Sequence, residues 1–509
     1  MPRISRAVVI GAGLGGLAAA LRLRARGYAV TVLEARDQAG GRAGVFRQDG
    51  FQFDAGPTVV TAPYLFDELW QLFGERREDH LTFTPVDPFY RVQFTTGEHF
   101  DYVGDEERIL EEIRKFNPAD VDGYRRMVEH AKKIFEIGYL KLADVPFERL
   151  SDMLRVVPAM LRLKSHRSVY QLVSSYIQDD RLRQVFTFQP LLVGGNPFDT
   201  SSIYMLIHYL ERKWGVHWAR GGTAAIVQAM VDLLIRQGGE LHLNTPVAEV
   251  EIQGDHAVAV NDVTGKSWPC DLVVANADPS VVYTRMISAR YRAKHNDARV
   301  AGIRQSMSAF VTYFGTKKTY PDLKHHTIVL GPRYKGLLDD VFNRKVLADD
   351  FSLYLHAPTR SDPSMAPPGH EAFYALSPIP NNRSGIRWDR QGEAYQEKIL
   401  ESLEARLLPG LRDNIVTKSF IDARFFAKDL RSYDGAAFGP QPLLTQSAWF
   451  RYHNRSEDVG GLYFVGAGTH PGAGIPGVLS SAKVLDRVIP EPDTADVVHV
   501  ETHKYRSAM

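Results

Sequence analysis

The apolar positions of this chain change period several times, and the changes mark its elements. Ala7–Ile10 is a short apolar run that reads as a buried strand. The turn "GAGLGG" follows at Gly11–Gly16. A stretch of helical period then runs from Leu17 to Arg26 and is closed by Gly27, a residue suited to a helix C-terminus. "AVTVLE" comes next, at the distance of a second strand. From about residue 88 to residue 218 the pattern is mostly helical, with cap signals such as "NPADVDGY". "WARGGTAAIVQAMVDLLIRQGGE", Trp218 to Glu240, is another glycine turn and helix. "LHLNTPVAEVEI" and "HAVAV" alternate like half-buried strands, and "CDLVVANADP" is an apolar strand ending in a turn. "SAFVTYFG", "HHTIVL", "FSLYLHA" and "EAFYALSPIP" read as strands of one sheet, their aromatics serving core packing. Near the end, "GGLYFVGAGTHPGAGIPGVLSSAKVL" gives a strand at Leu462–Val465, a glycine-rich turn, and a helix from about Pro476, where proline suits the first turn.

The strand–glycine turn–helix unit carries chemistry at both ends of the chain. Gly11, Gly13 and Gly16 form G-x-G-x-x-G. The first permits a tight turn, the second admits a pyrophosphate to the backbone, and the third lets helix and strand pack closely. The following helix points its positive end at the phosphates. Glu34 ends the second strand, where a carboxylate binds ribose hydroxyls and repels a 2′-phosphate; Arg36 is a mild counter-signal. This predicts a Rossmann-like α/β dinucleotide site. A dinucleotide is long, and its reactive ring needs a site of its own. The second loop, Gly466–Gly477, supplies one, with a helix N-terminus able to stabilise negative charge.

Composition narrows the function classes. The 509 residues allow two or three domains, and 44% hydrophobic with 24% charged residues is ordinary globular usage. A formal net charge of +1 gives no sign of a nucleic-acid partner. The single cysteine, Cys270, rules out an internal disulfide or a thiolate cluster and fits a reducing cytosol. Arg3 and Arg6 before an apolar run resemble a signal peptide, but four glycines within Gly11–Gly16 would break its apolar region. No run of eighteen apolar residues predicts a membrane span. No metal-ligand spacing is apparent, and the pair His325–His326 reads as part of a strand.

The motifs together resemble a known family. "EARDQAGGRAG" and "FDAGPT" resemble the extended N-terminal signature of FAD enzymes of the amine oxidase and carotenoid desaturase superfamily. "LLVGGNPFDTSSIYMLIHYLERKWGV", "RGGT", "FSLYLHAP", "LTQSAWFR" and above all "GAGTHPGAGIPG" resemble the bacterial-type phytoene desaturases over almost the whole length. Ala467 stands where much of the wider superfamily has an acidic residue, as it does in this family. The resemblance implies non-covalent FAD, held by Gly11, Gly13, Gly16, Glu34, Gly41, Arg42, Gly56, Pro57, Thr58, Val247, Gly466, Ala467, Gly474, Ile475 and Pro476. It also implies an α/β fold of the amine oxidase/glutathione reductase type. The FAD-binding domain comes in three parts, 1–87, 215–280 and 441–489. A helical, membrane-facing substrate domain spans 88–214, a substrate domain with a mixed sheet spans 281–440, and 490–509 is a flexible tail.

The implied reaction is successive desaturation of phytoene to neurosporene or lycopene. A hydride leaves an allylic carbon for the flavin, and a neighbouring proton follows. The substrate has no polar handle, so an apolar tunnel must hold it. Asp152 and Arg155 share a helix face and are candidates for assisting the proton loss, against the alternative of a surface salt bridge. His470 orients the ring or caps its loop. The helix in "SDMLRVVPAMLRLKSHRSVYQLVSSYI" is apolar on one face, and Arg155, Arg162, Lys164, His166 and Arg167 supply cations, as on the solvated face of a domain helix or, alternatively, on a membrane surface or at a lipid entrance. A membrane quinone or dioxygen is the implied electron acceptor, since neither a second complete nucleotide site nor a redox cysteine pair is present. Expected partners are phytoene and partly desaturated carotenoids, at the cytoplasmic face of the inner membrane; the oligomeric state stays open. The alternatives are a related carotenoid desaturase, isomerase or ketolase, or a non-catalytic FAD- or lipid-binding protein.

Overall fold

The computed structural model describes residues 5–492; the tail expected from residue 490 falls almost wholly outside them. A five-stranded parallel sheet takes its strands from distant parts of the chain, in the order Leu462–Phe464, Leu272–Ala275, Arg6–Ile10, Ala29–Leu33, Glu240–His242. The strands are short and apolar because both faces are covered: Val9, Val32 and Val274 pack with the helices Leu14–Ala25, Gly222–Arg236 and Ile475–Val488, and Val8, Leu33 and Val273 with an antiparallel sheet of Val247–Gln253, His256–Asp262 and Ser267–Pro269. Leu14–Ala25 is buried along nearly its whole length, which explains its uninterrupted "LGGLAAALRL". Ile475–Val488 packs beside it, so the first and last helices are neighbours. Arg22 ties them together: its guanidinium donates to Asp486 at 2.7 Å and to Glu68 of the helix Tyr64–Gln71 at 3.0 Å.

A second, seven-stranded sheet has the order Ile415–Ile421, Ser308–Thr316, Glu371–Ile379, Leu353–His356, His326–Val329, Tyr90–Gln93, His99–Tyr102. All pairings are antiparallel except that of His326–Val329 with Tyr90–Gln93. Ser308–Thr316 is buried at every position because both faces are covered. Phe310 and Phe314 pack with Trp388 and Tyr395 of the helix Trp388–Arg406, while Ala309, Val311 and Tyr313 face the other way.

The segment 88–214 is helical only from Glu106 onward. Tyr90–Gln93 and His99–Tyr102 form an edge hairpin of the mixed sheet instead, because "YRVQ" and "HFDY" put Tyr90, Val92, Phe100 and Tyr102 on its buried face. The strand His217–Ala219 pairs with Phe83–Pro85 and carries the chain back toward the parallel sheet.

Candidate functional site

The C-terminal ends of Arg6–Ile10 and Leu272–Ala275 open onto both glycine loops, which touch. A methyl group added to Gly15 would sit 3.1 Å from the nitrogen and Cα of Gly466. Between the loops stands Asn276, just past its strand. Its Oδ1 would lie 2.7 Å from a Cβ at Gly15 and 2.6 Å from one at Gly466, and its Nδ2 2.7 Å from one at Gly13. Gly16 acts elsewhere: a Cβ there would fall 2.0 Å from the carbonyl oxygen of Gly11, so its bareness serves the packing of helix on strand. The nitrogen of Gly466 donates to Ser481 Oγ at 2.8 Å, which fastens the second loop to its helix.

From these loops a cavity of about 550 Å³ runs between the mixed sheet and the helices of the middle segment. Every residue expected from the sequence to touch the cofactor lines it, except Gly16. Beyond the loops the wall is apolar, with Met153, Met160, Leu192, Ile207, Val311 and Leu376 among its residues. Glu34 is buried at the loop end, where its Oε2 accepts from the Ala12 nitrogen at 2.8 Å and its Oε1 from the Arg36 nitrogen at 3.0 Å. Arg36 Nη1 and Arg42 Nε are buried against this end without a hydrogen-bond partner. Two unsatisfied guanidinium nitrogens beside a glycine cradle fit an anionic dinucleotide that can accept from them.

Asp152 and Arg155 lie beside this cavity and not in its wall. They sit on the helix Leu150–Arg162, 3.5 Å apart; Asp152 Oδ2 accepts from the Arg149 nitrogen at 2.9 Å as part of the helix cap, and the Arg155 side chain is 79% exposed. The same-face reading holds, but the cavity takes the neighbouring stripe, Met153, Val156 and Met160. His470 does line the cavity. Its Nε2 donates to the carbonyl of Leu142 at 3.2 Å, and burial pushes the imidazole down to about 4, so it is neutral near pH 7 with Nδ1 bare. Cys270 is buried and its thiol is pushed up to about 12, which removes it as a nucleophile.

Among the wall residues that escaped the sequence reading, two polar ones matter most here. Asn276 is one; the turn after a parallel strand was its available signal. Glu211 is the other. It is fully buried, accepts from Tyr90 O–H at 2.8 Å, and is pushed up to about 8 by desolvation. A third group missed is a cluster of His325, His326 and His356 behind the wall. The pair was visible in the sequence, but His356 arrives from the adjacent strand.

A parallel sheet with two touching glycine loops at its C-terminal edge and a buried acid, Glu34, beside them is the arrangement of a dinucleotide-binding fold. Residues 14–484 match the family described as flavin containing amine oxidoreductase. Curated relatives include a lycopene-forming phytoene desaturase of Paracoccus sp., 46% identical over 96% of this chain and 98% of the relative. A lycopene-forming enzyme of Pantoea ananas is 47% identical over 93% and 97%, and a neurosporene-forming one of Rhodobacter capsulatus 43% over 96% and 94%. Among solved structures, an oxidoreductase from Methanosarcina mazei aligns with a TM-score of 0.63 at 16% identity, covering 95% of this chain and all of that one. Putrescine oxidase bound to putrescine aligns with a TM-score of 0.63 at 16% identity, covering 96% of this chain and 100% of that one. The chain belongs to the flavin-containing amine oxidoreductases and, within them, to the bacterial phytoene desaturase family. It is an FAD-dependent oxidoreductase.

Proposed function

We propose that this chain desaturates phytoene, introducing successive double bonds on the way to neurosporene or lycopene in carotenoid biosynthesis. One observation carries the reading: a single cavity starts at the two glycine loops and continues, lined by apolar side chains, to the inner stripe of the helix Leu150–Arg162. Such a wall suits a polyene with no group to hydrogen-bond. When bound, FAD supplies the hydride acceptor. Gly11 and Gly13 let the backbone approach the pyrophosphate, and Glu34 takes the ribose hydroxyls. Arg36 and Arg42 meet the cofactor's negative charge, and the loop from Gly466 to Pro476 borders its ring. The apolar wall aligns the chain of the substrate and keeps water from the allylic cation it becomes. His470 Nδ1, a bare lone pair on a residue of the wall, is a group able to receive the departing proton.

The same helix supports a place at the membrane surface. Met153, Val156 and Met160 face the cavity, whereas Leu150, Leu154 and Leu161 are 50%, 61% and 60% exposed. Arg155 and Arg162 occupy a third stripe. Leucines to lipid and cations to headgroups is the arrangement of an interfacial helix. Among the described residues no helix is long and apolar enough to cross a membrane. A quinone within that membrane is the acceptor this placement favours, with dioxygen as the alternative.

The test is direct. Phytoene in liposomes is incubated with the purified protein and FAD, without oxygen and with a quinone. Visible absorption should grow while product masses fall by two hydrogens at a time, and the last mass counts the steps. Unchanged mass, or added oxygen, would point to an isomerase or a ketolase. Bound FAD and polyene without turnover would point to a binding protein. Turnover only in the presence of dioxygen would remove the quinone.

A further inference from the structure

One layer behind the cavity wall, three histidines meet from two adjacent strands. His326 and His356 are directly paired across the ladder, and His325 precedes His326. The Nε2 atoms of His325 and His356 are 3.0 Å apart, and one ring nitrogen of each of the three lies within 4.8 Å of those of the other two. All three rings are buried, and desolvation keeps them neutral. Trp218 covers His325 and His356, its ring 4.9 and 5.0 Å from theirs.

The direction of the neighbouring hydrogen bonds decides where His326 carries its proton. The carbonyl of Gly56 can only accept, so Tyr374 O–H donates to it, at 3.2 Å. Thr58 must then donate to Tyr374 at 3.0 Å, and Tyr354 to Thr58 at 2.8 Å. His326 Nδ1, 2.7 Å from Tyr354, is left to donate to that hydroxyl. A neutral imidazole has one proton, so Nε2 of His326 is a bare lone pair. No donor reaches it. A buried lone pair with no donor is costly, and a metal ion satisfies it.

We propose that His325, His326 and His356 form a binding site for a divalent first-row transition ion, with zinc the ion that neutral imidazoles suit best. The inference does not depend on the substrate proposed above. The ligands are Nε2 of each ring. On the far sides, Nδ1 of His325 meets Ser361 Oγ at 2.7 Å and Nδ1 of His326 meets Tyr354, the outer contacts that fix the orientation of metal-bound histidines. The 3.0 Å between two of the ligand atoms is close to the edge of about 3.3 Å expected of a tetrahedral site with Zn–N bonds of about 2.0–2.1 Å. The ion cross-links two strands and, through His326, Tyr354 and Thr58, braces the cavity wall.

The test measures the metal content of purified, FAD-loaded full-length protein from cells grown with added zinc and, separately, with added cobalt. About one equivalent of metal per chain is expected, with X-ray absorption showing a shell of imidazole nitrogens. H326Q and H356Q should lower metal content about tenfold or more while flavin absorption persists. Should either variant fail to fold, the wild-type absorption spectrum still decides. Metal below about a tenth of an equivalent in both preparations, or metal without imidazole scattering, overturns the proposal and leaves a purely hydrogen-bonded cluster.

Discussion

At the scale of the residue, burial sets both cofactor contact and pH response. Gly13 has room for no side chain: its Cβ would stand 2.7 Å from Asn276 Nδ2 and fill the approach to the loop. Gly13→Val should therefore purify without flavin absorption while circular dichroism stays native. Flavin retained at the wild-type ratio would displace the first loop from the cofactor site. Glu211 gives a signed pH effect. Its folded-state value of about 8 lies above the ordinary glutamate value of 4.5, so between these the folded state holds more protons than the unfolded one. Its contribution to stability is full below the unfolded value and is lost as pH rises through about 8. Glu211→Gln should thus gain thermal stability relative to wild type on going from pH 6 to pH 9 (values bracketing most of that window), as read by melting temperature. His470 acts on the acid side. It is lowered from 6.5 to about 4, so its contribution is present above 6.5 and is lost as pH falls toward that value.

At the scale of the element, the helix Leu150–Arg162 divides its work among three stripes. Replacing both Leu154 and Leu161 with glutamate should weaken binding to liposomes by about tenfold or more, since each exposed leucine contributes on the order of 1.5 kcal/mol when covered by lipid. FAD content should be unaffected; sedimentation with liposomes unchanged from wild type would remove the membrane face. Asp152→Asn keeps the size of the capping side chain, and turnover within about twofold is expected from its place outside the wall. A loss of tenfold or more with FAD intact would return Asp152 to the chemistry. The sequence was legible where local chemistry is self-contained. Both glycine loops, the acid at Glu34 and the strands around Phe310 and Phe373 could be read in place. Tyr90–Gln93 and His99–Tyr102 could not, because four-residue strands at a sheet edge leave too short a pattern inside a helical neighbourhood. Nor could the faces of Leu150–Arg162 be assigned: spacing tells which residues share a stripe, and only packing tells which stripe meets the cavity. Asn276 and His356 act through partners hundreds or tens of residues away, a relation no local pattern contains.

At the scale of the whole molecule, the cavity proposed to hold the cofactor is lined by segments from both ends of the sequence and from the middle. Ligand that binds this assembly and not the unfolded chain must stabilise all of it together. FAD at about a hundred times its dissociation constant should add about 2.7 kcal/mol, seen as a rise in melting temperature of the deflavinated protein on titration. Absence of a rise at saturating FAD would mean that the loops form without feeling the cofactor.

The order of strands in the parallel sheet also has a temporal meaning. Arg6–Ile10 leaves the ribosome well before its neighbour Leu272–Ala275, and Leu462–Phe464 follows later still. At a synthesis rate of about 5–20 residues per second, the first glycine loop waits roughly half a minute to a minute and a half for the second. Until then the apolar strand "AVVIG" and the helix behind it have no finished layer to lie against. A chain released before Gly466–Gly477 is made therefore lacks half of the loop pair on which the flavin is proposed to sit.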